Sequence, residues 1–156
     1  MVHSSIRSLK TNITTLRNLK IGKWHQIIKL YIIDIYMLTT EQIILIKKTW
    51  RMLKGIESSV VAGAFYAKLF SDQPGLRRLF PKDMEPQYVK LMDMLNAIVI
   101  KLDRLEEYTK ELTEMAERHI GYGVKNEHYR LVGNALIWTL EKGLGKDWNP
   151  QVSEAW

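Results

Sequence analysis

The stretch NEHYRLVGNALIWTLEKGL, residues 126–144, decides the fold class. Tyr129, Val132, Leu136, Leu140 and Leu144 recur at three- and four-residue intervals, which is the period of one helical face. Gly143 and Gly145 stand where such a helix would close. No β pattern competes with it, because apolar and polar residues nowhere alternate for more than a few positions.

The same reading works outward in both directions. Thr39 precedes an apolar-periodic run, with Gln42 three residues on, and the pair makes a capping-box pattern. Ile43, Ile46, Trp50 and Leu53 then share a face, and Gly55 ends this first helix. The spacing predicts a second helix from about Glu57 to Phe70, burying Val60, Val61, Ala64, Phe65 and Leu69. A short third runs from Pro74 to Phe80 and is stopped by Pro81. A fourth spans about Met84 to Leu102, with Gln87, Leu91, Leu95, Ile98 and Leu102 as its stripe. A fifth spans about Leu105 to His119, with Leu105, Leu112, Met115, Ala116 and His119 in register, broken by Gly121 and Gly123. Downstream, Asn149-Pro150 is a strong helix-start pair, Asn as N-cap and Pro in the first turn. Val152, Ala155 and Trp156 begin an apolar face there. The fold class is all-α, with no internal repeat.

The 156 residues suit one domain, and 46% apolar with 26% charged residues argues against wholesale disorder. The absence of cysteine excludes a disulfide framework, thiolate zinc sites, iron–sulfur clusters and a cysteine nucleophile. It suits a reducing compartment, and the expected location is the cytoplasm.

The net charge of +6 resembles a nucleic-acid signal until it is located. Residues 1–36 hold six basic side chains and one acid, a balance of +5, whereas residues 37–156 hold 17 basic and 16 acidic, a balance of +1. The basicity belongs to the leader, so no nucleic-acid partner is expected. The leader carries eight Ile but no Ala or Glu. Its apolar run, residues 27–35, is too short to span a bilayer, and no signal-peptidase pattern follows. A membrane-surface or partner helix is one reading of it, since Ile13, Leu16, Lys20 and Trp24 sit at helical spacing. The favoured reading is a disordered or non-native leader, with the working domain at 37–156.

Chemistry without cysteine must use other groups. His119 and His128 lie nine apart across a glycine break, which is not the spacing of two ligands on one helical face. Glu106 and Glu107 sit among charges and read as a solvated face. Gly121 and Gly123 follow a helix rather than a strand, so no phosphate loop is formed. His119 ends an apolar stripe. It reads as a core or helix-end histidine, or as a lone axial imidazole for a haem iron, where the porphyrin supplies the other four ligands.

At this point the chain from Leu38 to Trp156 resembles a globin, of the bacterial single-domain and flavohaemoglobin-like branch. The matching pieces are residues 64–70 (AFYAKLF), then Leu79-Phe80-Pro81 with Gln87 seven residues after Phe80. Ala116-Glu117-Arg118-His119 and Tyr122-Gly123-Val124 follow, then residues 128–133 (HYRLVG), 140–145 (LEKGLG) and Glu154-Ala155-Trp156. Each is weak alone; in order over this length they are specific.

The resemblance implies helices packed around a haem b (iron protoporphyrin IX) pocket. It implies that His119 is the proximal iron ligand and that Phe80 stacks on the porphyrin. Tyr66 and Gln87 become a distal pair facing bound gas, with Leu91 as the distal apolar residue and Tyr129 behind the histidine. A Tyr hydroxyl and a Gln amide can each donate to a ligand that draws negative charge, such as dioxygen, at ~0.5–1.5 kcal/mol net per bond. Tight reversible binding of dioxygen or another diatomic gas is therefore the expected function, in transport or scavenging rather than as an enzyme. Nitric oxide dioxygenation with an external reductase, and a haem-free helical interaction or sensor domain, are the alternatives. The family's last helix runs about twenty residues, so the reading is of a truncated final helix; the glutamate that supports the proximal histidine in flavohaemoglobins would fall beyond Trp156.

Overall fold

The computed structural model describes residues 38–156, except Gly123. The expectations for residues 1–37, for Gly123 as a helix breaker, and for burial of Leu105 and Ala116 lie outside the described residues or side chains. Among the described residues there is no strand, and no helix is long and apolar enough to cross a membrane.

Helix α1 spans Thr40–Leu53 and starts as its sequence dictates. The Gln42 backbone N–H donates to the Thr39 hydroxyl (3.2 Å), and the Thr39 N–H donates to the Gln42 side chain (2.9 Å). Two of the donors that a helix start leaves unpaired are thereby satisfied. Ile46, Trp50 and Leu53 are buried as expected, and Thr49 joins them by returning its hydroxyl to the Leu45 carbonyl at 2.8 Å. Helix α2 spans Ser58–Asp72 and buries Val61, Ala62, Phe65, Tyr66 and Leu69. Val60, expected inside, is 57% exposed; Ala62 and Tyr66 take the inner face instead. A 3-10 helix follows at Pro74–Leu79, closed before Pro81.

Helix α3 spans Glu85–Ile100. Of the expected Gln87, Leu91, Leu95, Ile98 and Leu102, only Leu95 and Leu102 are buried, and Met92 and Val99 complete the inner face. The reason is that α3 serves two neighbours, since it packs against both α1 and α2. Gln87, Leu91 and Ile98 are half-buried beside that seam. The expected fifth helix also begins later. Leu102–Tyr108 is 3-10 helix interrupted at Arg104 (φ −150°, ψ 37°), and α4 runs from Thr109 to Gly121, so Gly121 lies inside it. Lys47 of α1 meets Asp103 at 2.9 Å, holding that carboxyl below its ordinary range and pinning the irregular segment.

Helix α5, Asn126–Leu144, has the bounds its periodicity predicts. Leu140 and Leu144 are buried with Ala135 and Thr139; Leu136 and Tyr129 are half-buried; Val132 is 37% exposed. Gly145 adopts φ +54°, ψ −118°, a conformation that favours glycine, and ends the helix there. Helix α6, Pro150–Ala155, is capped by Asn149, whose side chain accepts from the Val152 N–H at 3.0 Å. It packs on α1 through buried Val152 and Ala155. The Trp156 indole N–H donates to the Thr49 hydroxyl at 2.9 Å, and its ring lies 6.2 Å from that of Trp50.

Helices α1 and α5 touch at Gly143, where an added Cβ would collide with Leu53 Cδ2. Leu53 is fully buried and has no room to yield. A Gly143→Ala variant should therefore lose ~1–3 kcal/mol by overpacking. That loss exceeds the gain in helix propensity, roughly 1 kcal/mol. A urea melt measures it, and a variant as stable as the parent would refute the close approach.

Candidate functional site

The candidate residues lie on α2, the turn after Pro74–Leu79, α3, α4 and α5. Tyr66 sits in the middle of α2, 7% exposed, in a cluster with Phe65, Leu69, Leu76 and Ala135. Phe80 and Leu91 pack against the same cluster. The Tyr66 ring meets Phe80 edge-on at 5.4 Å and Phe65 edge-on at 4.9 Å. It also stacks on Tyr88 at 5.7 Å with an interplanar angle of 27°. Three of the expected residues, Tyr66, Phe80 and Leu91, are thus brought to one place. Gln87 is half-buried on α3, one turn before Leu91 and next to Tyr88. Tyr88 is the member that the sequence reading missed. It lies just beside the expected stripe, and only the packing of α3 against α2 reveals it.

Phe80 is held from behind. The Arg77 guanidinium donates to the carbonyls of Phe80 (3.1 Å), Pro81 (2.8 Å) and Lys82 (3.0 Å). One cation thereby organises the whole corner, and the three bonds fix where the Phe80 ring leaves the chain.

Burial pushes the Tyr66 hydroxyl up from its ordinary value near 10 to about 12, and the neighbouring Tyr88 adds to the shift. Between pH 10 and about 12 an unfolded chain would lose that proton while the folded one keeps it. The folded state binds more protons there, so stability is present below pH 10 and falls as pH rises through about 12. Urea midpoints of the parent should drop more steeply over this range than those of Tyr66→Phe. Parallel curves would remove the argument.

His119 lies in the last turn of α4 and is half-buried. Its Nδ1 is 2.8 Å from the Met115 carbonyl oxygen, one turn back. A carbonyl can only accept, so Nδ1 carries the proton and Nε2 keeps its lone pair. Helix α4 is strongly amphipathic, and its substantial packing is against the Leu102–Tyr108 segment rather than against α2 or α3. Tyr129 is half-buried in the first turn of α5. The contacts that bring Tyr66, Phe80 and Leu91 together include neither His119 nor Tyr129.

This donor set fits a haem. A single imidazole with a free Nε2, oriented by a hydrogen bond to backbone, is the ligand such a group needs from the chain. Phe80 supplies an aromatic face, and Tyr66 a hydroxyl in an apolar cluster. Among the described residues no group of three His, Asp or Glu side chains converges to hold a bare metal ion.

Comparison with known proteins shows the family. The family profile described as Globin matches residues 63–156. The chain is 36% identical over 122 residues to an uncharacterized globin-like protein of Aquifex aeolicus, covering 77% of this chain and 84% of that one. It is 30% identical over 123 residues to a flavohemoprotein of Vibrio cholerae, covering 77% of this chain but spanning only 31% of that relative's length. A crystal structure of the closed form of the HGbRL globin domain shares 41% identity over 76% of this chain and 86% of that chain, with a TM-score of 0.37. The profile match and the Aquifex relative together place the chain, an all-α protein, in the globin family, whose members are haem-binding, gas-binding domains.

Proposed function

We propose that this protein binds haem b through His119 and holds dioxygen reversibly on the opposite side. The observation that carries the proposal is the 2.8 Å contact from His119 Nδ1 to the Met115 carbonyl, which leaves Nε2 as a lone-pair donor. Haem supplies an iron that binds a diatomic gas reversibly. The chain does the rest. The Met115 carbonyl orients the imidazole. Phe80, held by its corner, would offer an aromatic face to the porphyrin. Helix α4 packs chiefly on the Leu102–Tyr108 segment, which leaves its histidine-bearing turn uncommitted to α2 or α3.

On the gas side, Tyr66 and Gln87 are the donors and Leu91 keeps the space apolar. The Tyr66 hydroxyl, protonated at neutral pH like any tyrosine, has a proton to donate. Two donors at ~0.5–1.5 kcal/mol each, and more toward a charged acceptor, slow gas release ten-fold or more. Tyr129 stands in support of the proximal side. Tight binding suits capture or scavenging better than bulk delivery.

The test uses the full chain titrated with haem under reducing conditions. A stoichiometric Soret band that shifts with carbon monoxide is expected. Oxygen dissociation from Tyr66→Phe should then be several-fold faster than from the parent. No Soret band after haem addition would overturn the proposal. An unchanged release rate would remove Tyr66 from it.

The flavohemoprotein relatives favour a second reading, nitric oxide dioxygenation with the same pocket and an external reductase. It requires nitric oxide consumption at saturating oxygen when a reductant is supplied.

A further inference from the structure

A cavity of about 190 Å³ opens between the 3-10 helix Pro74–Leu79 and the start of α5, lined by Gln73, Arg78, Lys125, Glu127 and His128 among others. None of the six candidate haem residues lines it. It is smaller than the roughly 300–1,000 Å³ pockets that take cofactors. Its walls are rich in donors. Two adjacent arginines make the contrast plain. Arg77 is spent on three backbone carbonyls. Arg78, the one that lines the cavity, has no carboxylate or carbonyl partner among the described residues, and neither does the Lys125 ammonium. His128 adds a third donor. Its Nδ1 accepts from the Lys125 backbone N–H at 3.1 Å, so the proton of the neutral ring sits on Nε2. The Glu127 carboxylate is 3.9 Å from that Nε2, too far for a hydrogen bond, and is itself largely exposed. The positive end of a long helix adds to the same field.

We infer that this cavity is a binding site for a small oxyanion, of the size and charge of inorganic phosphate or nitrate. Arg78 offers the planar fork that matches such a group, Lys125 a point charge, Gln73 an amide and His128 Nε2–H a directed donor. Glu127 is the opposing charge and sets the affinity low. The site stands apart from the candidate haem residues and does not rest on haem binding.

Calorimetric titration of the full chain with inorganic phosphate, and separately with sodium nitrate, tests it at constant ionic strength set by chloride. Saturable one-site binding is expected. Arg78→Gln and Lys125→Gln should each weaken it at least ten-fold, and Glu127→Gln should tighten it several-fold. Lys48→Gln, an exposed charge removed from α1, should change nothing; thermal melts of all four variants check that they remain folded. Heat of dilution only, or binding that Arg78→Gln and Lys125→Gln leave unchanged, overturns the inference. If only one of the two anions binds, the site stands and that anion defines its class.

Discussion

A His119→Ala variant should take up haem, if at all, without the spectrum of a histidine-ligated iron, and added imidazole should restore that spectrum. The expectation follows from one local arrangement. Nδ1 of His119 is tied to the Met115 carbonyl at 2.8 Å, so only Nε2 is free to act as a ligand. Truncation to alanine removes the ligand but leaves a cavity of imidazole shape at the end of α4. Because the ring is half-buried and bonded to its own helix, its loss should cost the fold little, within ~1–1.5 kcal/mol. The spectral effect and the stability effect are therefore separable. A His119→Ala protein with an unaltered histidine-type spectrum would falsify the assignment of this residue. A variant that simply unfolds would be recognised by its melt, and His119→Gln then serves as the second probe.

The largest effect on stability is expected at Leu53. Its side chain is wholly inaccessible and fills the contact between α1 and α5 opposite Gly143. Leu53→Ala should cost 2–5 kcal/mol, about the range for a leucine whose surroundings cannot collapse. For a domain of this size that is a drop in Tm on the order of 10 °C or more. The same geometry predicts non-additivity. The methyl group of Gly143→Ala, which collides with Leu53 in the parent, would fill part of the space left in Leu53→Ala. The double variant should be more stable than the sum of the two single losses by at least ~1 kcal/mol. Strict additivity in a double-mutant cycle would mean that the two positions do not share the space described.

Much of this was legible from local chemistry. The starts of α1 and α6 follow from Thr39 with Gln42 and from Asn149-Pro150, because a cap is a short-range hydrogen bond between named groups. The bounds of α5 follow from its period. The misreadings occur where one element answers to two partners. Val60 was expected inside because it is apolar, yet Ala62 and Tyr66 hold the face that α2 turns to its neighbours. The α3 stripe was displaced because a single periodic line cannot describe a helix packed on both α1 and α2. The 3-10 segment before α4 is met by the Lys47–Asp103 pair, a contact far apart in sequence. At the candidate site, the end of an apolar stripe singled out His119, and only the resemblance to globins implied a role for it. The stacking of Tyr66 on Tyr88 was not readable, since it exists only once α2 and α3 are side by side.

The bond from Trp156 to Thr49 joins residues 107 apart in sequence. Closing so long a loop is entropically slow to reward, and contacts of this kind lengthen folding times. While the chain is being synthesised, Thr49 and Trp50 must wait for residue 156 to leave the ribosome before their surroundings are complete. Until then α1 exposes the apolar patch that Val152, Ala155 and Trp156 later cover. The nascent chain should therefore acquire the native emission of Trp50 only after residue 156 has emerged.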